Sequence, residues 1–229
     1  MTQHMRHQLE RGDGVTAVQQ GLLDMERSIT RTEVLVQDLL DTSLMETNLF
    51  ALRRQRTDLV ELCRKLLDDY TARAVLTLVN EMKGAPIEVE VDRDRFSQVL
   101  INLLSNARKF SKHGTAITVT LQQSGYEVIV SIQDMGIGIA EEYLPHLFEQ
   151  FYRVPGVEIQ SGSRTGLGLG LFIARKIVER HGGHMEVQTV LGQGSVFSVV
   201  LPIYVDPDAT EQPDVPASLH TQAVWTITH

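Results

Sequence analysis

Two carboxamides and an ammonium group lie at helical spacing in the segment from Gln98 to Ser111. Asn102 and Asn106 are one turn apart and Lys109 follows Asn106 by three residues, so a helix would place all three on nearly the same face. Amide oxygens can bind a divalent cation, and an ammonium group can bind the phosphates that accompany it. Taken alone, the segment is equally compatible with a core helix whose asparagines are solvated or bonded to backbone.

A carboxylate followed by two glycines is a second candidate. Asp134 ends a strand-like run and precedes Gly136 and Gly138. Such a carboxylate can accept a hydrogen bond from an exocyclic amine, and the glycines allow the backbone to close around a flat ring. For this motif alone, a turn capped by an aspartate is the simpler interpretation.

A glycine cluster that opens a helix is the third candidate, and it comprises Gly166, Gly168, Leu169 and Gly170. Unpaired N–H groups and the helix dipole favour a phosphate there, although the glycines could equally permit close packing of a helix on a sheet. No Gly-Lys-Ser/Thr follows, so this is not a Walker loop, and the order of elements does not suit a dinucleotide site.

An aromatic segment with an arginine lies between the glycine clusters. The run Phe148 to Arg153 is followed by small and polar residues up to Arg164, which suggests a lid that closes over a ligand and brings Arg153 to a terminal phosphate. The alternative is an exposed loop with hydrophobic anchors and a solvated arginine.

Composition limits the function classes. The chain of 229 residues is 42% hydrophobic and 22% charged, which is typical of an ordinary globular protein. A net charge of −8 argues against nonspecific nucleic-acid binding, and Cys63 is the only cysteine, which excludes an intrachain disulfide. No apolar run approaches the roughly 20 residues of a membrane span, so we expect a cytoplasmic segment without membrane contact.

A long helix is predicted from about Val15 to Glu46. Its apolar positions step by threes and fours, which is typical of the seam of a helix bundle; they are Leu22, Met25, Ile29, Val36 and Leu39. One helical hairpin cannot bury such a wide stripe, so helix 15–46 predicts a homodimer through a four-helix bundle. The alternative is that the stripe packs on the globular part of the same chain.

Strands arranged in hairpins with helices between them follow a linker at about 48–56. We predict helices at 58–72, from the N-cap Asp92 to Gly114, and at about 169–180. The predicted strands are 75–81, 87–91, 117–121, 128–133, 185–190 and 195–201. This order indicates an α+β fold with a mixed or antiparallel sheet. The expected domains are 1–50, 51–204 and a polar tail at 205–229.

Together the motifs resemble the ATP-binding domain of sensor histidine kinases, over about residues 57 to 203. NLLSNARKFS resembles the N box, DMGIGI the G1 box, FEQFYR the F box, GLGLGL the G2 box and GQGSVF the G3 box. The upstream LVQDLLDTSLME resembles the second helix of the dimerisation and histidine-phosphotransfer hairpin. The resemblance implies the two-layer α/β sandwich of the GHKL (Bergerat-type) ATP-binding fold, preceded by a long helix of a helical hairpin.

The resemblance also implies ligands, roles and partners. Asn106 would ligate Mg²⁺ with support from Asn102, Lys109 and Arg153 would contact the phosphates of ATP, and Asp134 would bind the adenine amino group. The other implied nucleotide contacts are Phe110, Gly136, Gly138, Gly166, Gly168, Leu169, Gly170 and Ser195. A response regulator receiver domain is the implied protein partner.

Asn102 favours a kinase over a hydrolase. Hydrolysing relatives carry a glutamate at this position, where it acts as a general base on water, and an amide cannot accept a proton at neutral pH. The leading hypothesis is therefore transfer of the γ-phosphoryl group to a histidine. The alternatives are a nucleotide-binding module that regulates a partner without phosphotransfer, and an ATP hydrolase.

The phosphoacceptor pattern of the family, His-Glu/Asp-x-x-x-Pro, does not occur in the sequence. His7 precedes Gln8 and has Gly12 at the fifth place, and His4 has Leu9 there. We therefore expect Met1 to lie just downstream of the acceptor, and the chain alone to autophosphorylate poorly.

Overall fold

The computed structural model describes residues 14–47, 50–71, 76–80, 86–112, 114–156 and 167–205. Its elements are α1 (Gly14–Glu46), β1 (Gln55–Asp58), α2 (Leu59–Thr71), β2 (Leu76–Asn80), β3 (Glu88–Val91), α3 (Arg93–Phe110), β4 (Ile117–Ser124), β5 (Glu127–Asp134), a 3₁₀ helix (Glu141–His146), α4 (Gly170–Arg180), β6 (His184–Val190) and β7 (Gly194–Pro202). The tail expected at 205–229 lies outside the described residues from 206 onward.

The main sheet has five strands in the order β2-β4-β5-β7-β6. β2 runs parallel to β4, and the other neighbours pair antiparallel. A second, two-stranded antiparallel sheet joins β1 to β3. The predicted α+β class with a mixed sheet is therefore confirmed.

Helices cover one face of the main sheet, and the hydrophobic core lies between these two layers. Along β5 the buried positions Val128, Val130 and Ile132 alternate with more exposed ones, as expected for a strand with one face on a core. Asp134 continues the buried row. The pleat therefore carries its carboxylate to the helix side of the sheet.

α3 begins where the sequence predicts it. The Asp92 carboxylate accepts a hydrogen bond from Arg95 N–H at 3.2 Å as an N-cap and another from Arg53 N–H at 2.8 Å, which satisfies a donor in the first turn. Asp92 N–H donates to Nε2 of the buried His181 at 2.9 Å, and His181 Nδ1 bonds to Ile177 O at 2.8 Å. Burial lowers the pKa of His181, so its neutral form connects α4 to α3.

A polar cluster, here called the α1 junction, attaches the end of α1 to the sandwich. The fully buried Asp41 accepts hydrogen bonds from Arg95 Nη1 at 2.7 Å, Gln98 Nε2 at 2.8 Å and Gln37 Nε2 at 2.8 Å. The Arg95 guanidinium also lies 4.5 Å from the centre of the Phe50 ring. The junction consists of Gln37, Asp41, Phe50, Arg95, Gln98 and Arg180, whose guanidinium donates to the carbonyl oxygens of Met45 and Phe50.

Cys63 lies inside the core between α2 and the sheet. It is 1% exposed and sits in a small apolar space with Leu67, Leu104 and Val119. Burial, with a smaller contribution from Asp58, raises the pKa of its thiol to about 12. The thiol is therefore protonated at physiological pH.

Some boundaries differ from the predictions. β1 lies partly inside the expected linker, a 3₁₀ helix lies inside the expected loop after Asp134, and α3 ends at Phe110 rather than near Gly114. No helix in the described part of the chain is long and apolar enough to cross a membrane.

Candidate functional site

A cavity of about 1080 Å³ opens where α3, the end of β5, the segment around Arg153 and the start of α4 meet. Its wall includes most of the candidates named from the sequence: Asn102, Asn106, Lys109, Phe110, Asp134, Gly138, Arg153, Gly168, Leu169, Gly170 and Ser195. Residues far apart in the chain therefore converge on one space large enough for a nucleotide.

α3 supplies the two amides and the ammonium group. Its core face carries Leu103, Leu104 and Ala107 into the interior, which leaves Asn102 and Asn106 half-buried along the cavity. Asn102 Nδ2 donates to Gly170 O at 3.2 Å and so attaches the first turn of α4 to α3. Among the described residues, the side-chain amide of Asn106 has no hydrogen-bond partner, so it is available to a ligand.

Lys109 and Arg153 both line the cavity and lie close enough for the charge of one to act on the other. Lys109 Nζ lies 4.9 Å from the centre of the Phe110 ring. Burial, together with the charge of Arg153, lowers the pKa of Lys109. Neither cation forms an ion pair within the described part of the chain. Two adjacent positive charges without a carboxylate create a local positive potential, which an anion would neutralise.

Asp134 also lines the cavity and is 5% exposed. Its Oδ1 accepts the Gly136 N–H at 2.8 Å. Burial raises the pKa of this carboxyl, against the opposing effect of hydrogen bonds from the Gly136 and Ser195 N–H groups. A buried carboxylate that is held by backbone donors can accept a hydrogen bond from a ligand amine.

The glycine segments close the cavity through backbone contacts. A Cβ at Gly168, where φ is +75°, would lie 2.6 Å from Tyr152 O and 2.7 Å from Phe151 C. Only glycine therefore lets this segment pack on the aromatic segment, whose Phe151 itself has φ of +61°. Gly170 lies against Asn102.

The remaining predicted glycines are Gly136 and Gly166. Gly136 is not among the wall residues; a Cβ there would lie 2.3 Å from Phe110 O and 2.6 Å from Asp134 Oδ1, so this glycine permits close packing behind the carboxylate. Gly166 lies outside the described residues.

One wall of the cavity was not foreseen. α1 contributes Leu23, Glu26, Thr30, Val34, Leu35 and Asp38. Burial and the nearby Asp41 raise the pKa of Asp38 to about 6. Helical periodicity showed that α1 has an apolar face, but it held no information on which part of the chain that face would approach.

A family model described as "Histidine kinase-, DNA gyrase B-, and HSP90-like ATPase" matches residues 91–205. The chain belongs to this family. The match spans α3 to β7 and hence the α3, β5, α4 and β7 contributions to the cavity, so the resemblance to the ATP-binding domain of sensor histidine kinases is confirmed. The fold inferred for a GHKL ATPase domain is confirmed with it.

A curated relative of the chain is a sensor protein. The chain is 34% identical over 183 residues to the sensor protein SrrB of Staphylococcus aureus, an alignment that covers 79% of this chain and 30% of SrrB. The chain thus spans less than a third of the length of such curated relatives.

Solved structures agree with this placement. ShkA, crystallised at full length with AMPPNP, superimposes with a TM-score of 0.67 at 25% identity, covering 82% of this chain and 39% of ShkA. The histidine kinase ThkA, in complex with the response regulator protein TrrA, gives a TM-score of 0.59 at 26% identity, covering 77% and 48%.

Proposed function

We propose that this chain is the ATP-binding catalytic portion of a two-component sensor histidine kinase. It binds Mg-ATP and transfers the γ-phosphoryl group to a histidine supplied in trans or by a segment outside this chain. The observation that carries the proposal is the convergence on one cavity of a buried carboxylate, Asp134, and two cations, Lys109 and Arg153, that have no ion-pair partner among the described residues.

The residues present fit Mg-ATP. Asp134 would accept the adenine amine, while Lys109 and Arg153 would bind phosphate oxygens. Asn106, whose amide has no protein partner among the described residues, would hold Mg²⁺ together with the phosphates, since Mg²⁺ is commonly bound by few protein ligands plus substrate phosphate. When bound, Mg²⁺ offsets the negative charge of the phosphates.

Asn102 supports transfer over hydrolysis. Its amide nitrogen is engaged with Gly170 O, and an amide oxygen cannot take a proton from water at neutral pH. The protein therefore positions ATP and neutralises its charge without activating water, and the nucleophile comes from a histidine imidazole.

We extend the proposal to the domains of the chain and to its protein partners. Leu22, Met25, Ile29, Val36 and Leu39 are about half exposed along α1, which supports dimerisation through helix 15–46 within domain 1–50, with domain 51–204 as the catalytic unit. A receiver domain of a response regulator is the proposed phosphoryl recipient, as the ThkA–TrrA complex suggests. We place this portion of the protein in the cytoplasm.

The test is phosphotransfer with radiolabelled ATP to an acceptor hairpin taken from an intact kinase. We expect acid-labile label on the hairpin, and about a hundredfold less with Asn106→Asp, because the new carboxylate repels phosphate and replaces the neutral ligand. Ile101→Asp, which places the same charge at an exposed position of α3, is the matched control and should transfer normally.

Two outcomes separate this proposal from its alternatives. Nucleotide binding without transfer to any hairpin would favour a regulatory module without phosphotransfer. Steady release of inorganic phosphate would favour a hydrolase. The chain alone, which lacks the acceptor pattern, should acquire little label.

A further inference from the structure

A pair of hydroxyl groups joins β6 to β7 beside Asp134. Thr189 Oγ1 lies 2.9 Å from Ser195 Oγ. Ser195 lines the cavity, is 6% exposed, and is the strand partner of Asp134 in the β5–β7 pair. Thr189 itself is not part of the cavity wall, so any influence on a ligand must pass through a neighbour.

The contacts of Thr189 determine which hydroxyl donates. Its single proton goes to Gly194 O at 3.0 Å, and its oxygen accepts the Ile139 N–H at 2.9 Å. A hydroxyl has one proton and two acceptor positions. The remaining contact with Ser195 must therefore use a lone pair of Thr189 and the proton of Ser195.

Ser195 consequently presents only lone pairs to the cavity. The neighbouring Asp134 carboxylate is an acceptor as well, with Oδ1 already holding the Gly136 N–H. Two acceptors side by side fit a purine edge that carries an amino group. A 6-oxo group would place a third acceptor against them, and an unpaired buried acceptor is costly.

We propose that Thr189 is a positioning residue that fixes the direction of the Ser195 hydroxyl and so makes the cavity wall at Asp134 and Ser195 select 6-amino purines over 6-oxo purines. The inference rests on the proposed function, because the purine must lie against Asp134. The new element is that Thr189, which does not line the cavity, controls base specificity through the hydroxyl of Ser195.

The test compares ATP with inosine triphosphate, which replaces the 6-amino group by a 6-oxo group, using calorimetric dissociation constants in the presence of Mg²⁺. Wild-type protein should prefer ATP. In Thr189→Val the Ser195 hydroxyl is free to turn and donate to the 6-oxo group, so the preference should fall about tenfold, the value of one hydrogen bond. Thr189→Ser retains the hydroxyl and should therefore keep the wild-type preference for ATP.

Thr189 Oγ1 also accepts a hydrogen bond from the Ile139 N–H, so its substitution could act through the nearby loop. Repeating the substitution in a Ser195→Ala variant separates the two effects. In Ser195→Ala, adding Thr189→Val should change the ATP preference no further, because the hydroxyl through which Thr189 acts is gone. Ser198→Ala is the matched control: it breaks the 2.8 Å hydroxyl pair between Ser131 and Ser198 on the same sheet and should leave the preference unchanged.

The outcomes that would overturn the inference are distinct. Equal loss of ATP and inosine triphosphate affinity in Thr189→Val, or an undiminished effect of that substitution in Ser195→Ala, would mean that Thr189 only supports the fold. Wild-type protein that binds both nucleotides equally would overturn the inference alone. Wild-type protein that binds neither would overturn the proposed function together with it.

Discussion

The α1 junction and the cavity use the same kinds of side chain in opposite ways. In the junction, Asp41 is fully buried and accepts three hydrogen bonds, one of them from a guanidinium. In the cavity, Lys109 and Arg153 lie near each other without a carboxylate partner among the described residues. Folding alone accounts for the first arrangement, whereas the second would be stabilised by an anion between the two cations.

The boundary between the two regions runs along α1. Asp41 and Asp38 are less than one turn apart, yet Asp41 has partners in the junction while Asp38 lines the cavity and has its pKa raised to about 6. Raised pKa and missing partners are what a site shows before its ligand arrives. The comparison therefore predicts that the junction residues stabilise the fold and that the cavity residues bind a ligand.

The largest expected effect is on the junction. Asp41→Ala leaves Arg95, Gln37 and Gln98 without their shared acceptor, so we expect the free energy of unfolding to fall by about 3 kcal/mol, measured by urea denaturation. ATP affinity should change less than about twofold. Asp24→Ala, at a more exposed aspartate of the same helix that bonds to Gln20 at 3.2 Å, is the control and should cost under about 1 kcal/mol. Similar losses in both variants would erase the distinction between the regions.

Asp134→Asn should give the reverse pattern. We expect about thirtyfold weaker ATP binding, because the amide can turn a donor toward the adenine amine. Stability at pH 7 should not fall, since burial holds the pKa of this carboxyl above its ordinary value and the ionised form therefore disfavours folding at neutral pH.

The matched control for Asp134 is Asp92→Asn. Burial alone would raise the pKa of Asp92, but hydrogen bonds from the Arg53 and Arg95 N–H groups outweigh it and lower that pKa. Ionised Asp92 thus stabilises the folded state above its unfolded pKa, and the substitution should lower the melting temperature. A lower melting temperature for Asp134→Asn as well would contradict the assignment of that carboxylate to binding.

The smallest expected change in the free energy of unfolding is that of an Asp38 variant, and its pH dependence distinguishes Asp38 from Asp41. The folded-state pKa of Asp38, about 6, lies above its ordinary value of 3.8, so its charge destabilises the fold fully above pH 6 and not at all well below 3.8. Asp38→Asn should therefore raise the free energy of unfolding by about 1 kcal/mol at pH 7.5, after allowance for partial exposure, and by about a third of that at pH 4.5. A gain that does not depend on pH would point to a cause other than charge.

Local patterns predicted most of the sandwich. The Asp92 N-cap, the β4–β5 and β6–β7 hairpins and the long helix before them depend on neighbouring residues, and all were predicted to within a few positions. β1 was missed because its partner is β3, more than thirty residues away. A short edge strand without alternation gives no local signal.

The sequence identified most motifs of the candidate site but not the spatial arrangement of its residues. The amides, the carboxylate and the glycines were identifiable because each has a chemical reason for its residue type. Thr189 was missed because a threonine in a strand is ordinary; its importance arises only from the contacts with Ile139, Gly194 and Ser195. The α1 wall was missed because no local pattern determines how α1 is oriented relative to the sandwich.

The buried thiol of Cys63 offers a way to measure the rate of local opening around α2. Cys63 is the only sulfhydryl in the chain, so a thiol-specific reagent can modify one place and no other. Since this side chain is 1% exposed and its proton is tightly held, modification must wait until α2 lifts from the sheet. The rate of alkylation therefore reports how often α2 separates from the sheet. Comparing this rate with and without nucleotide would show whether a ligand in the cavity on one side of α3 reduces the opening of α2 on the other side.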